Sequence, residues 1–447
     1  MSSSSSSSSQ DTEAGGDGGG GRGGGEGPSS SRRRFGNRVW PEPFIEALAS
    51  QVAIDASRSI DRLAAARALF NVFQVCSTWL AVSRSDLLWQ NLTSSIWNRH
   101  HLLHDTWCDE YIYRHRTAHN FRVGQYIYST LHFIPSEDDD NDGLSCRRLA
   151  LSDNFLAAGF SNGSVRLFHL PTRLHLSTFQ SHQRDRIGRF SPAISGIILS
   201  DTQLVFASLD GDIHVAATDV GPPARRTHLG NQVNDGVLVD FTGCARWWVG
   251  LYAGVPGRAF HVWDGATEEL LFVGGTLTDQ EAVMGWHLLT ELTVLIGRIR
   301  ITGQESAVAC TSPRVIVFDL ANQGIVFGEE EFQTGLIVGS VDANNDAFIV
   351  VDSRGVASVR RAGTLEEVCR FTVRGASQRS VLGCMNGGYA LMCAGGVINV
   401  WEVEQQGQHL YRFNERIGEA NALIADDRYV AACSSDATIH LWDFGAQ

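Results

Sequence analysis

An all-β propeller of seven blades, preceded by a small all-α domain, is the fold class that this sequence predicts. Seven segments after residue 151 repeat one plan: a polar turn, a short apolar strand, a Gly/Ser/Asp turn and an alternating strand. A separate stretch, residues 40–97, carries apolar residues at helical spacing instead. Because repeated units bury their apolar faces against one another, the seven segments indicate one ring-shaped domain.

The N-terminal tail, residues 1–34, contains eight consecutive serines and a glycine-rich run. Such a composition buries too little apolar surface to offset the entropy of ordering, so the sequence predicts a disordered tail. The short basic cluster at residues 32–38 fits either a weak nuclear-import signal or a solvated flank.

The all-α domain is predicted over residues 38–98. Pro41 and Pro43 mark the start of a first helix. The apolar spacing predicts a continuous second helix over residues 69–80, and a third helix that opens with Asp86 as its N-cap. By pattern alone, this is a three-helix packing unit with no function of its own.

The residues themselves carry a resemblance. The stretches W-P-E-P-F-I-E-A-L-A (40–49), F-Q-V-C-S-T-W (73–79) and S-D-L-L-W (85–89) resemble an F-box. The stretch 53–66 is longer and more polar than is usual between the two halves. The resemblance implies a face that binds a ligase adaptor or supports that binding, formed by Pro41, Phe44, Ile45, Leu48, Val75, Cys76, Trp79, Leu88 and Trp89.

Residues 99–124 are predicted to form a helical linker. The stretch Y-I-Y-R-H-R-T-A-H-N-F-R-V-G (111–124) is similar to the linker between the two domains of F-box/WD-repeat proteins. His100, His104 and Cys108 are spaced by four residues, which fits either a metal-binding face of a helix or plain packing and surface roles. We favour the second interpretation, because zinc sites usually pair their ligands more tightly.

The propeller is predicted over residues 125–447. The first inward residues of the alternating strands are 41 to 55 residues apart, near the roughly 40 to 45 of WD-type blades. Two segments end in Trp-Asp, at Asp264 and Asp443, which resembles the WD-repeat family. The seven segments are 152–168, 200–215, 246–264, 292–319, 346–359, 388–402 and 427–443.

The last blade lacks an outer strand, since the sequence stops soon after Asp443. The alternating stretch 125–134 is predicted to supply that strand and close the ring, which removes an exposed sheet edge. The acidic run 137–142 is then a solvated connector.

Composition excludes several classes of function. The formal net charge of −13 argues against a broad nucleic-acid-binding face, and no apolar run is long enough for a membrane span. The nine scattered cysteines suit a reducing compartment. All 36 basic residues are arginines, which excludes lysine Schiff-base and P-loop chemistry. We predict no catalytic residue, no metal and no cofactor, hence a non-enzymatic protein.

Arginines are concentrated in the turns and loops expected on one face of the ring. They fit either ordinary surface charge or a cluster that receives an acidic or phosphorylated segment of a target protein. The candidates are Arg147, Arg184, Arg186, Arg189, Arg258, Arg314, Arg354, Arg374 and Arg379, together with Arg148.

The whole arrangement resembles plant F-box/WD-repeat-like regulators of flower and organ development. That resemblance implies a nuclear substrate receptor of a cullin-type ubiquitin ligase, with a Skp-type adaptor, a cullin and a target protein as partners. The alternative is a transcriptional regulator or co-repressor scaffold that bridges transcription factors without ubiquitin. Neither interpretation requires a membrane or direct nucleic-acid contact.

Overall fold

The computed structural model describes residues 40–133, 144–181, 192–219, 223–276, 297–311, 314–322, 325–332, 338–373, 381–404 and 407–446. The tail predicted to be disordered and the acidic run 137–142 lie outside these residues. Residues 42–447 form one compact unit.

Five helices open this unit, and a sixth, short helix lies between two strands within the described residues. Helices α1 to α4 share an apolar core with the N-terminal part of α5, and Ile45, Leu88 and Leu92 are among its fully buried side chains. The helices are α1 (Glu42–Ser59), α2 (Ala64–Phe73), α3 (Ser77–Val82), α4 (Asp86–Trp97), α5 (Trp107–Val123) and α6 (Gln232–Asp235).

Two helix predictions were wrong in detail. The continuous helix predicted over 69–80 is broken into α2 and α3, because Cys76 has an extended backbone (φ −167°, ψ 174°) and precedes the first turn of α3. The N-cap of α4 is Ser85, whose hydroxyl accepts a hydrogen bond from the Leu88 amide at 3.4 Å, and Asp86 is the first helical residue. An acidic residue in that first turn still stabilises the helix through its dipole.

Most of the described residues after α5 lie in antiparallel strands. The strands over 203–208 and 347–352 are buried along almost their whole length, whereas the strand over 174–180 alternates between exposed and half-buried residues. Strands of the first kind are therefore covered on both faces. The strands are β1 (Ile127–Leu131), β2 (Cys146–Leu151), β3 (Phe155–Phe160), β4 (Ser164–His169), β5 (Leu174–Gln180), β6 (Ile194–Leu199), β7 (Gln203–Ser208), β8 (Ile213–Ala217), β9 (Arg225–His228), β10 (Val237–Gly243), β11 (Trp247–Ala253), β12 (Phe260–Asp264), β13 (Leu270–Gly274), β14 (Arg298–Ile301), β15 (Ser306–Cys310), β16 (Arg314–Asp319), β17 (Val326–Glu331), β18 (Val338–Ala343), β19 (Ala347–Asp352), β20 (Val356–Arg361), β21 (Glu367–Thr372), β22 (Val381–Met385), β23 (Tyr389–Ala394), β24 (Val397–Glu402), β25 (Gln408–Arg412), β26 (Ala420–Ala425), β27 (Tyr429–Ser434) and β28 (Ile439–Asp443).

The strands form five four-stranded sheets and one eight-stranded sheet within the described residues. The four-stranded sheets are β2-β3-β4-β5, β14-β15-β16-β17, β18-β19-β20-β21, β22-β23-β24-β25 and β1-β28-β27-β26. The eight-stranded sheet consists of two antiparallel halves, β6 to β9 and β10 to β13, joined by one parallel bridge between Phe241 and Gly196. The mostly-β part of the predicted fold class is therefore confirmed.

One strand of each four-stranded sheet, and one of each half of the eight-stranded sheet, lies beside its counterpart in the next. The order of these strands is β2, β6, β10, β14, β18, β22, β26 and back to β2. Strand β1, from the N-terminal side of the sheets, pairs antiparallel with β28, with Ile127 opposite Asp443 and Leu131 opposite Ile439. The last sheet thus takes its outer strand from the residues that follow α5, and no edge of β28 is left open.

Helix α5 joins the helical part to the sheets by direct packing. The ring of Phe121 stacks on Phe444 at 4.0 Å and on Tyr389 at 5.0 Å between centroids. The hydroxyl of Tyr389 donates to the carbonyl of Ala118 at 3.3 Å. Buried aromatic stacking of this kind fixes the angle of α5 against the sheets.

A buried group of charges lies beside the same helix, and we call Arg99, His101, His104, Glu110, Arg114 and Asp153 the junction cluster. Glu110 is fully buried; it accepts from Arg114 Nε at 2.7 Å, and its other oxygen lies 2.7 Å from His104 Nδ1. Asp153, in the turn after β2, pairs with Arg99 at 3.0 Å and lies 3.8 Å from Arg114. The junction cluster therefore ties α5 to the first sheet.

Candidate partner-binding sites

The residues predicted for an adaptor-binding face divide into exposed and buried sets. Pro41, Phe44, Val75 and Cys76 are exposed, with Phe44 45% and Val75 61% accessible. Leu48 and Trp79 are half-buried, while Ile45, Leu88 and Trp89 are buried in the core. The exposed set, and the accessible part of Leu48 and Trp79, can contact a partner without rearrangement, whereas the buried set is limited to supporting it.

Trp89 shows how the core supports that surface. Its indole Nε1 donates to the carbonyl of Ser83 at 2.7 Å, which satisfies the one polar group of the ring. Its ring packs against Tyr111 at 5.1 Å and Phe73 at 6.3 Å between centroids. This places the end of α3 on α4 and α5, and thereby positions the exposed loop that carries Val75.

Further exposed apolar side chains in this region were missed by sequence reasoning. Phe70 is 60% accessible, Leu80 54% and Leu87 57%. Phe70 and Ile112 also line an apolar groove of about 650 Å³ between α2, α4 and α5, with Phe73, Trp89 and Tyr111 among its other lining residues. Helical spacing alone could not separate these side chains from core positions, because the break at Cys76 changes which face turns inward.

The predicted arginine face is only partly described. Arg184, Arg186, Arg189, Arg374 and Arg379 lie outside the described residues. Three of the others form ion pairs, with these distances between a guanidinium nitrogen and a carboxylate oxygen: 2.6 Å for Arg258 and Asp235, 2.6 Å for Arg314 and Glu329, and 3.1 Å for Arg354 and Asp352. Arg354 is nonetheless 68% accessible, so it can still reach a partner.

Arg147 lies apart from these, in a central cavity of about 280 Å³ lined by the first strand of every sheet unit. We call Arg147, Arg148, Asp240, Arg298, Arg300 and Asp342 the central cluster. Sequence reasoning missed Arg298, Arg300 and both carboxylates. Arg298 and Arg300 are two residues apart in β14, which places both side chains on one face, and this spacing was the available signal.

Asp240 is the hub of the central cluster. One of its oxygens accepts from Arg148 at 3.0 Å and the other from Arg300 at 2.8 Å and from the Ile299 amide at 2.9 Å. Burial raises the pKa of this carboxyl, but the guanidiniums of Arg300 and Arg148 outweigh burial and leave the pKa below its usual range. Asp240 is therefore charged at neutral pH.

The remaining guanidiniums of the central cluster crowd one another. Burial, followed by the charge of Arg148, lowers the pKa of Arg298 to about 9 and that of Arg147 to about 10. Burial also raises the pKa of Asp342, although Arg300 lies 3.7 Å away. Burial disfavours the charged form of each of these groups, which explains why the arginine pKa values fall and the aspartate pKa rises.

No group of three or more His, Cys, Asp and Glu side chains in the described part of the chain is arranged to hold a metal ion. His100 and His104 precede α5 instead of sharing its face with Cys108, so the three do not form the helical face considered above. Among the described helices, none is long and apolar enough to cross a membrane.

Comparison with known proteins gives the chain a family. No protein-family model matches it. It is 61% identical over 419 residues to the transcriptional regulator STERILE APETALA of Arabidopsis thaliana, an alignment that covers 93% of this chain and 94% of that protein. This confirms the resemblance to a plant floral regulator predicted from the sequence.

Solved structures agree with the fold. The β-propeller domain of Cps50 (Swd1) from Myceliophteria thermophila aligns with a TM-score of 0.51 at 14% identity, over 71% of this chain and 99% of that domain. The computationally designed protein Ika8 aligns with a TM-score of 0.46 at 17% identity, over 68% of this chain and 98% of that protein. The first of these supports a propeller-like fold and nothing beyond the fold. By its identity over almost the whole of both sequences, the chain belongs to the STERILE APETALA family.

Proposed function

We propose that this chain is a non-catalytic regulator of transcription, which acts in the nucleus by holding partner proteins together. The observation that carries the proposal is its 61% identity, over 93% of its length, to a protein named as a transcriptional regulator. The net charge of −13 favours contact with other proteins, such as transcription factors, over direct contact with DNA. A role in flower and organ development stays a prediction of the resemblance.

We further propose that the sheets form the seven-bladed propeller predicted from the repeats. The five four-stranded sheets and the two halves of the eight-stranded sheet would be the blades. The neighbour order of the first strands, which returns from β26 to β2, supports this arrangement. A propeller presents a rigid face built from many loops, which suits the binding of partner proteins.

The test is to tether the full chain to a promoter through a heterologous DNA-binding domain and to measure reporter transcript. We expect transcript to change relative to the DNA-binding domain alone. The measurement is repeated under proteasome inhibition, which separates a direct effect from one that requires protein degradation. Unchanged transcript under both conditions would contradict the proposal.

A second function, substrate reception for a cullin-type ubiquitin ligase, is favoured by one specific feature. The F-box-like segments lie on α1, on the end of α2 with the loop into α3, and on α4; Phe44 and Val75 are exposed there, while Leu88 is buried. Exposed apolar side chains above an ordered core are typical of a protein-docking surface. On this view the helical part binds the adaptor and the propeller binds the target.

The packing of α5 supports that second function. A ligase receptor must hold its target at a fixed distance from the catalytic subunits, and a rigid joint between its two binding parts provides this. The stacking of Phe121 on Phe444 and Tyr389, together with the junction cluster, would supply such a joint.

The ligase function is tested by affinity purification of the tagged full chain from plant cells. We expect a Skp-type adaptor and cullin to accompany the wild-type chain but not the Phe44→Ser, Val75→Ser double variant. Both side chains are exposed, so the fold should survive. Leu174→Ser, at a 61% accessible site on β5, is the matched control and should retain the adaptor. Absence of cullin from the wild-type sample would rule out this function and leave the first proposal standing.

A further inference from the structure

The central cluster carries more positive than negative charge. Within the described residues that line the central cavity or pair with them there, four arginines meet two aspartates. The four are Arg147, Arg148, Arg298 and Arg300, and the two are Asp240 and Asp342. Arg298 makes no ion pair within the described residues, in a place where buried charge is costly unless it is compensated.

The two aspartates are already engaged. Asp240 is fully buried and accepts from Arg148, Arg300 and the Ile299 amide, which uses most of the acceptor capacity of one carboxylate. Asp342 accepts from the Met385 amide at 3.0 Å and lies 3.7 Å from Arg300. Both aspartates thus serve Arg148 and Arg300.

Arg298 is placed differently. It is 9% accessible, and its hydrogen bond within the described residues goes to the carbonyl of Gly297 at 3.0 Å. A guanidinium has five N–H donors, so most of its donating capacity remains for another acceptor. Because it is the group whose charge is least favoured by its surroundings, a bound anion would stabilise it most.

The space beside these arginines suits a small ligand. The cavity of about 280 Å³ is slightly smaller than the roughly 300 Å³ at which pockets for drug-sized molecules begin. Ser340 and Asn421 add polar side chains to its lining. A guanidinium binds a tetrahedral oxyanion through two parallel hydrogen bonds, which a chloride ion cannot accept.

We propose that the central cavity is a binding site for a free, small oxyanion of the phosphate class, contacted by Arg298 and Arg147. Asp240 holds Arg148 and Arg300 in place beside it. A phosphate group carries a charge of about −1.5 to −2 near neutral pH, which would compensate the buried charge of Arg298. The site is independent of the proposed regulatory and ligase functions, since it rests on the charges and volume of the cavity.

The experiment is a calorimetric titration of the full chain with inorganic phosphate at constant ionic strength, with sodium chloride as the reference titrant. We expect saturable binding of phosphate, together with a higher melting temperature in phosphate than in chloride. Arg298→Gln is expected to weaken binding about 10- to 100-fold, the effect of losing a hydrogen bond between charged groups. Arg147→Gln is expected to weaken it as well.

Arg361→Gln is the matched control, because Arg361 is 56% accessible and pairs with Asp346 on the surface. It should bind phosphate like the wild-type chain. Melting in chloride verifies that each variant is folded. The proposal is overturned if the wild-type chain shows no saturable binding, or if Arg298→Gln and Arg147→Gln both bind as tightly as the control.

One further variant separates a free anion from acidic groups of the chain itself. Glu137 and the four aspartates within 138–142 are replaced by their amides. If phosphate binds as a free ion, we expect its affinity to stay within about twofold of the wild-type value. Phosphate binding that appears only in this variant would show that the acidic run competes for the arginines, and would overturn the proposal.

Discussion

The junction cluster and the central cluster are built from the same kinds of side chain but differ in charge balance. In the junction cluster, Arg99 and Arg114 face Glu110 and Asp153, so formal charges cancel. In the central cluster four arginines face two aspartates. Burial is therefore common to both clusters; what differs is that Arg114 is paired with Glu110, whereas Arg298 makes no ion pair within the described residues.

The hydrogen bonds of the two clusters agree with this distinction. Both oxygens of Glu110 are in use, one by Arg114 and the other by His104 and the Leu103 amide at 3.2 Å. The pKa of Glu110 shows the result: burial raises it, but the bonds from His104 and Arg114 bring it below its usual range. Both oxygens of Glu110 are therefore occupied, although Arg114 Nη2 makes no hydrogen bond in the described part of the chain and lies 3.8 Å from Asp153. Arg298 in the central cluster makes no ion pair with any residue that the structure describes and still has donors to offer.

The largest effect is expected from opening the junction cluster. Glu110→Ala leaves the Arg114 guanidinium, which is 3% accessible, without its closest carboxylate. Breaking a buried pair in this way costs about 3 to 5 kcal/mol of unfolding free energy. Chemical denaturation of the full chain measures it. Glu366→Ala, at an exposed site, should change stability by less than about 0.5 kcal/mol, and an equal loss in both variants would contradict a special role for the junction.

Local patterns predicted the strands well because their cause is local. Alternation of apolar and polar residues reports which face of a strand is covered. It indicated the strands of the sheets and also the stretch 125–134, which contains β1 and pairs with β28. The helical part was harder. The break between α2 and α3 depends on the extended backbone of Cys76, which no periodicity records.

The charge clusters could not be predicted, because they join residues distant in sequence. Arg148 and Asp240 are 92 residues apart, and Asp240 and Arg300 are 60 apart. The sequence singled out Arg147 and Arg148 as part of an arginine face, either ordinary surface charge or a cluster that receives an acidic segment, yet the structure places both on β2 at the central cavity. Which carboxylate neutralises which arginine depends on which strands lie side by side, and a single sequence carries no signal for that.

A smaller effect is expected from acidification of the junction cluster. The pKa of Asp153 is lowered overall, because the charge of Arg99 and the hydrogen bond from His101 outweigh burial, which raises it. Its folded pKa therefore lies below the ordinary 3.8, and that of Glu110 below 4.5. Both contributions to stability are present above these ordinary values and are lost as the pH falls through the folded pKa values.

Unfolding free energy measured by urea between about pH 5.5 and pH 3 tests this. The wild-type chain is expected to lose stability on the order of 1 to 3 kcal/mol from the junction, the size of hydrogen bonds to charged groups. The double variant Glu110→Gln, Asp153→Asn should start lower and fall less over the same range. Parallel curves for the two proteins would show that other carboxyls dominate acid unfolding.

The smallest effect is expected from Arg298→Met in the central cluster, measured in chloride with no phosphate present. The substitution removes one of four crowded guanidiniums and keeps most of the apolar volume of the side chain. It breaks no ion pair within the described residues and relieves repulsion from Arg148, so stability should change by no more than about 1 kcal/mol in either direction. Arg114→Met is the same change at a similarly buried arginine of the junction. It should lower the unfolding free energy by about 3 kcal/mol or more, because it leaves the buried Glu110 without its arginine partner. A loss at Arg298 as large as that at Arg114 would mean that both clusters are structural. The contrast between Arg114, which is paired with Glu110, and Arg298, which makes no ion pair within the described residues, would then not hold.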